Sequence, residues 1–157
     1  MNFKDPIFIG ELNPVSMKPE HALYPYPTNV AGWRLCTKVL AIRRADYLQF
    51  SRHNLCVGAW KGKSAKLSAD HLRRSYGGRK IVLLGAKVSG AFGVKFVPNA
   101  VEECWYEDTQ KAVTFVVLNH PSGRCLAWNE PGAYEKARAL MQREFPHIEF
   151  GSTLEKQ

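Results

Sequence analysis

The sequence predicts an α/β protein, a three-layer α/β/α sandwich with a mainly parallel central sheet. Short runs that are almost entirely apolar, such as PIFIG at 6–10 and KIVLLG at 80–85, are typical of strands covered on both faces. These runs alternate with segments whose apolar residues recur at helical spacing, which favours a sheet with helices on both sides. A chain of 157 residues is expected to form one domain over its full length, 1–157.

Four strands are predicted, each from an apolar run bounded by glycine, proline or polar residues. In chain order they lie at 6–10, 53–60, 80–85 and 113–118. A proline-rich surface loop is expected at 13–29, the basic stretch WKGKSAK is expected to be a loop after the second strand, and a turn is expected at 107–110.

Helices are predicted between and after these strands. They cover 31–42, 68–76, 86–93 and 131–145. Ser68 is expected to cap the start of the second helix, and Gly77 and Gly78 are expected to end it. Pro131 is expected at the first position of the last helix.

The basic charge favours a polyanionic partner such as nucleic acid. Lysine and arginine total 22 against 14 acidic residues, which leaves a net charge of +8. The basic residues of the central third are Arg43, Arg44, Arg52, Lys61, Lys63, Lys66, Arg73, Arg74, Arg79 and Lys80. Within this group, Lys61 and Lys63 are expected in the loop after the second strand, where they could bind phosphates.

Several other classes of protein are disfavoured. The N-terminal stretch lacks the features of a signal peptide, and no run reaches the roughly 18 apolar residues of a membrane span, so an intracellular, cytoplasmic protein is expected. We also expect a monomer. The four cysteines form no C-x-x-C pair and are expected to be free thiols. The histidines show no metal-ligand spacing, so neither a metal nor a cofactor is expected.

Two polar stretches are expected to meet at one edge of the sheet. GELNP follows the first strand and NHPSG follows the last, and ligands of open α/β sheets bind beyond the carboxyl ends of strands. We therefore expect these loops at neighbouring strand ends, with Asn13 and His120 on opposite walls of one cleft and Asn54 near its floor.

The ordered motifs G-E-L-N-P, F-S-R-H-N-L and H-P-S-G-R resemble the uracil-DNA glycosylase superfamily. That family has a glycine followed by Asp or Asn before Pro, then a strand-borne Asn, and finally His-Pro-Ser or Asn-Pro-Ser. The resemblance runs from about residue 6 to residue 145. It implies a uracil-DNA glycosylase-like fold, and excision of uracil or a modified pyrimidine from DNA after base flipping.

The resemblance also implies roles for single residues. Asn13 would position a water, and His120 would donate a hydrogen bond to the base O2 as negative charge develops there. Asn54 would read the Watson–Crick edge of the base, since an amide both donates and accepts hydrogen bonds. Tyr24 and Tyr26 would supply an aromatic floor on which the base stacks.

The segment after His120 is expected to contact DNA through Ser122, Gly123 and Arg124. By resemblance, Arg124 and Leu126 would fill the gap that the flipped base leaves in the duplex. The alternative for Arg124 is a solvated side chain with no such role.

The first motif departs from the family in two ways that leave alternatives open. It is one residue longer than G-x-N-P or G-x-D-P, so either Asn13 or Glu11 could position the water, with Asn13 favoured by the Asn-Pro pair. Only the carboxylate of Glu11 could also remove a proton. Val15 stands where strict uracil enzymes carry a tyrosine, so a thymine-like or modified pyrimidine is not excluded.

The altered first motif leaves a second reading of the function open. A catalytically silent relative would bind DNA or a modified base without cleaving it. An enzyme acting on free nucleosides or nucleotides is a third and weaker alternative.

The charge analysis predicts that DNA binding is electrostatic before it is specific. Lysines and arginines that neutralise phosphates release counterions, so the affinity for a random oligonucleotide should fall steeply as salt rises. Fluorescence anisotropy at several salt concentrations measures this slope. A flat salt response would mean that the net charge of +8 serves another purpose.

Overall fold

The computed structural model describes residues 2–13 and 18–151, with Asn13 described by its backbone alone. In these residues, five strands form one sheet: β1 (Ile7–Asn13), β2 (Ser51–Val57), β3 (Lys80–Leu84), β4 (Val101–Tyr106) and β5 (Lys111–Leu118). The strand order is β2-β1-β3-β5-β4, and all neighbours are parallel except β4 and β5. The predicted α/β fold with a mainly parallel sheet is confirmed.

The helices of the described chain are α1 (Ala31–Trp33), α2 (Arg44–Tyr47), α3 (Gly62–Ser75), α4 (Ala86–Ala91) and α5 (Ala133–Glu144). A π-helical segment, Arg34–Leu40, continues directly from α1, and short 3-10 turns lie at Pro19–His21 and Leu126–Asn129. No helix among the described residues is both long enough and apolar enough to cross a membrane.

Each face of the sheet carries its own hydrophobic core. On one face Phe8 and Val82 pack with the π-helical segment and α5. On the other face Ile9 and Leu83 pack with α3 and α4. Because successive side chains of a strand point to opposite faces, strands covered on both sides need the continuous apolar runs seen in the sequence. This arrangement is compatible with a three-layer sandwich.

The second half of the sheet and the last helix match the expectations in part. β4 was not predicted, because its residues are mostly exposed or half-buried on the edge of the sheet and form no apolar run. The turn expected at 107–110 is observed and joins β4 to β5 in a hairpin. The last helix begins at Ala133 after Gly132, which is left-handed with φ +79°, so Pro131 lies before the helix.

The stretch WKGKSAK is mostly helical, so the expected loop and the Ser68 cap are wrong. α3 begins at Gly62, which puts Lys63 on its first turn and leaves Lys61 as the residue just before it. The cause is a buried stripe that starts early, because Ala65, Ala69 and Leu72 share one face of the helix and enter the core.

The expectation that β1 and β5 are neighbours is also wrong, because β3 lies between them. β3 ends at Leu84, and Gly85, with φ +97°, turns the chain directly into α4. A Cβ atom on Gly85 would lie 3.0 Å from the Cβ of His120. The segment after β5 therefore lies over the carboxyl end of β3, and from there it can face β1.

The segment 22–24 is anchored to the body of the protein by three contacts. The Tyr47 hydroxyl donates to the Leu23 carbonyl at 2.7 Å, and the Arg52 guanidinium donates to the Ala22 carbonyl at 2.8 Å. Gly32 packs so closely beneath the segment that a Cβ there would collide with the carbonyl oxygens of Leu23 and Tyr24. Glycine is therefore required at position 32 for this approach.

We predict that Gly32→Ala destabilises the protein by about 1–3 kcal/mol, because the added methyl group must push the backbone of 23–24 away. Urea unfolding followed by circular dichroism measures the change in free energy of unfolding. Gly90→Ala is the matched control, since Gly90 lies in α4 with no atom within 4 Å of an added Cβ. That change should be neutral or stabilising by up to about 1 kcal/mol. Equal effects of the two substitutions would contradict the close packing at Gly32.

Candidate functional site

A cleft of about 600 Å³ opens beyond the carboxyl ends of β1 and β5. The predicted site residues that line it are Glu11, Tyr24, Tyr26, Asn54, His120, Ser122, Gly123 and Arg124. Lys61 and Lys63 are not among its lining residues. The side chain of Asn13, together with Pro14 and Val15, lies outside the described residues, although the Asn13 backbone ends β1 beside Val57 of β2.

Asn54 reaches the cleft from the strand next to β1. It pairs with Gly10 in the parallel ladder, and its side chain lies over that glycine. A Cβ on Gly10 would lie 2.6 Å from the Asn54 Oδ1 atom and 2.8 Å from a methyl group of Leu23. The glycine of the first motif thus makes the room in which the Asn54 amide sits.

The orientation of His120 is fixed by hydrogen bonds within its own turn. The Ser122 backbone N–H donates to the His120 Nδ1 atom at 3.1 Å, and the Trp128 indole N–H donates to the His120 carbonyl at 2.7 Å. Since Nδ1 accepts a hydrogen bond, the neutral ring carries its proton on Nε2. His120 therefore offers the cleft an N–H donor.

Burial and two charges set the protonation of His120. Burial lowers the pKa of His120 from its ordinary value, because the charged ring loses hydration. The nearby Lys87 ammonium also lowers this pKa, whereas the Glu11 carboxylate opposes the change. The net direction is downward, so the neutral ring is the main form at pH 7.

The aromatic wall of the cleft comes from the anchored loop. Tyr24 and Tyr26 are 37% and 43% exposed, and their ring centroids lie 5.6 Å apart with a 47° angle between the ring planes. The His21 ring lies 5.0 Å from that of Tyr24. The hydrogen bonds from Tyr47 and Arg52 hold the backbone that precedes this pair.

The basic residues of the central third do not form one surface at the cleft. Arg73 and Arg74 pair with Asp70, and Arg73 also pairs with Asp108. Lys80, the first residue of β3, pairs with Glu144 at the amino end of that strand, whereas the cleft lies at the carboxyl ends of the strands. Clustering in sequence misled here, because these basic residues pair with acidic ones, with Asp70 in the same helix and with Asp108 and Glu144 from other parts of the chain.

Sequence reasoning missed two cations beside the cleft. Lys87 acts electrostatically on His120, and the Arg34 guanidinium lies 3.7–3.9 Å from the position of a Cβ on Gly123. The sequence could have indicated Lys87, because it comes two residues after Gly85, the glycine that follows β3. No sequence pattern indicates Arg34, because it belongs to the π-helical segment and its place beside the cleft depends on how that segment packs.

No metal centre is found in the part of the chain that the structure describes, where no three His, Cys, Asp or Glu side chains are grouped to hold an ion. Neither a protein-family model nor a curated protein matches this chain.

We predict opposite changes in the titration of His120 when its two charged neighbours are removed. Glu11→Gln should lower the pKa of His120 further, because it removes a negative charge that favours imidazolium. Lys87→Met should raise that pKa, because it removes a positive charge. The measurement is the pH dependence of the His120 ring signals by NMR.

His53 serves as the internal control, because its Nε2 lies 2.7 Å from the Tyr76 hydroxyl and its pKa is lowered by burial, Arg52 and His71 rather than by Glu11 or Lys87. Its chemical-shift curve should be the same in all three proteins. Movement of the His120 midpoint in one direction for both variants would contradict the opposite electrostatic effects of Glu11 and Lys87 on the ring.

Proposed function

We propose that this protein is a monomeric DNA glycosylase with a uracil-DNA glycosylase-like three-layer fold. It excises uracil or a modified pyrimidine by hydrolysing the N-glycosidic bond after base flipping. The observation that carries the proposal is the meeting of Glu11, Asn54, His120 and the Tyr24–Tyr26 pair in one cleft. These residues come from separate stretches of the chain, and each has the chemistry that base excision needs.

The neutral His120 ring suits the departure of a pyrimidine. Breaking the glycosidic bond leaves positive charge on the sugar and negative charge on the base, and the latter gathers on O2. A fixed N–H donor stabilises this charge more in the transition state than in the ground state, which is how such donors accelerate reactions. The hydrogen bond from Ser122 fixes the ring so that Nε2–H is the donor.

Glu11 suits the activation of water. Hydrolysis adds the water oxygen to C1′ of the sugar, and the base leaves with the shared electron pair and takes up a proton. Glu11 lines the cleft and interacts electrostatically with His120, so a carboxylate is available near the reacting groups. It can orient a water and accept its proton, whereas an amide at Asn13 can only orient it.

Asn54 suits the recognition of the base. Its amide presents both a donor and an acceptor, which matches the adjacent carbonyl and N–H on the edge of uracil or thymine. Its position over Gly10 keeps it against the cleft wall. Tyr24 or Tyr26 can stack on the face of the same base.

The function is tested with a panel of labelled oligonucleotides, each with one candidate base, assayed for alkali-labile abasic sites. Uracil, thymine and 5-substituted uracils are the first bases to include. Excision of any of them supports the glycosylase. Binding without excision across a broad panel would favour the silent relative, which binds DNA or a modified base and does not cleave.

We predict that His120→Ala slows excision by about 10²–10³-fold, the usual cost of losing one donor to a developing oxyanion. Affinity for the oligonucleotide should remain nearly unchanged, because this contact matters mainly in the transition state. Single-turnover excision and anisotropy measure the two quantities. His120→Gln, which retains an N–H donor on a longer side chain, should lose less activity than His120→Ala.

Glu11→Gln and Asn13→Ala separate the two candidates for the water. If Glu11 positions the water, Glu11→Gln should abolish excision while Asn13→Ala slows it only slightly. The reverse order would assign the water to Asn13. Full activity in both variants and in His120→Ala would contradict the proposed chemistry altogether.

A further inference from the structure

The two tyrosines of the cleft wall cannot both stack face to face on one flipped base. A base is a single plane, whereas the Tyr24 and Tyr26 rings are inclined at 47° to each other. Stacking needs nearly parallel planes, so a base that lies flat on one ring meets the other at an angle. One exposed ring is therefore left for a different partner.

Tyr26 is the ring of the pair that contacts a cation. The Arg44 guanidinium lies 4.4 Å from the centroid of the Tyr26 ring, in cation–π geometry. Arg44 is exposed and is the first residue of α2. Tyr24 instead packs beside His21, which also lines the cleft.

An exposed aromatic ring with a guanidinium over one of its faces is typical of surfaces that bind unpaired nucleotides on the other face. The ring stacks on a base of any sequence, and the guanidinium pairs with the adjoining phosphate or stacks in turn. The charge of the protein fits this ligand, since the chain carries +8 overall and Arg124 also lies in the cleft lining.

We propose that Tyr26 and Arg44 form a second nucleobase site beside the cleft, occupied by an unpaired nucleotide next to the target base. The protein then takes single-stranded or locally unpaired DNA in preference to duplex. This inference rests on the proposed function for the identity of the ligand in the cleft. In an intact duplex the neighbouring base stays stacked and paired, so it cannot reach Tyr26 without additional unpairing.

The test is a binding experiment that does not depend on excision. The probes are a fluorescein-labelled 15-nucleotide single strand and its duplex, each with one 2′-deoxypseudouridine, whose carbon–carbon glycosidic bond is not hydrolysed. The wild-type protein should bind the single strand more tightly than the duplex. Tyr26→Ala should weaken single-strand binding about ten-fold and change duplex binding much less.

Tyr26→Phe keeps the ring and should retain single-strand binding, which separates stacking from a hydrogen bond of the hydroxyl. Trp105→Ala is the matched aromatic control, because Trp105 is 59% exposed on the edge strand β4. It lies opposite Ala112 near the start of β5, far from the carboxyl end where His120 follows, and it should have no effect.

Arg44→Ala should weaken single-strand binding and reduce its salt dependence by about one counterion. Arg143→Ala is the matched charge control, because Arg143 is exposed and lies beside Glu144. The Glu144 carbonyl accepts a hydrogen bond from Lys80 at the amino end of β3, the opposite end of the strand from the cleft. A thermal melt of each variant checks that it is folded.

Tighter binding of the duplex than of the single strand, or equal losses on both probes in Tyr26→Ala, would overturn the second site. Preserved single-strand selectivity with no excision of any base would remove the proposed enzyme and leave this site in place. Excision with no selectivity for single strands would support the enzyme and remove the second site. The two failures are therefore distinguishable.

Discussion

The cleft depends on the early end of β3, the strand that lies between β1 and β5. β1 makes its last pair with β3 at Ile9, but it continues along β2 as far as Asn13. β5 makes its last pair with β3 at Leu84, and Gly85 then turns the chain into α4. Residues 10–13 of β1 therefore border a gap beyond the end of β3. His120, in the segment after β5, lies on the other side of that gap.

The chemistry of the cleft follows from this geometry. His120 is half-buried in the same gap, and this burial favours its neutral ring. Glu11 on the extended part of β1 and Lys87 at the start of α4 act on this ring with opposite charges. The hydrogen bond from Ser122 then decides which nitrogen carries the proton. A hydrogen-bond donor of fixed position results without a charged imidazolium.

The sequence predicted the parts of the fold that rely on burial on both faces. β1, β3 and β5 lie where continuous apolar runs predicted strands. Glu11 and His120 were found because they belong to or follow those strands, whereas the family resemblance pointed to Asn54, Tyr24 and Tyr26. β4 and the start of α3 were missed, because one is a mostly exposed edge strand and the other begins with lysines that face solvent. Contacts set by tertiary packing, such as Arg34 beside Gly123, have no local pattern.

The most direct test of the account is a crystal structure of the protein with a single-stranded oligonucleotide that carries one 2′-deoxypseudouridine. We expect this base to be flipped into the cleft, with its edge at the Asn54 amide. The carbonyl oxygen next to the glycosidic carbon, which is O4 of pseudouracil and takes the place of uracil O2, should lie within about 3.2 Å of the His120 Nε2 atom. The face of the base should lie on the Tyr24 ring, since Tyr26 is assigned to the neighbouring nucleotide. A base that remains outside the cleft, or one that enters with this oxygen turned away from His120, would contradict the proposed geometry.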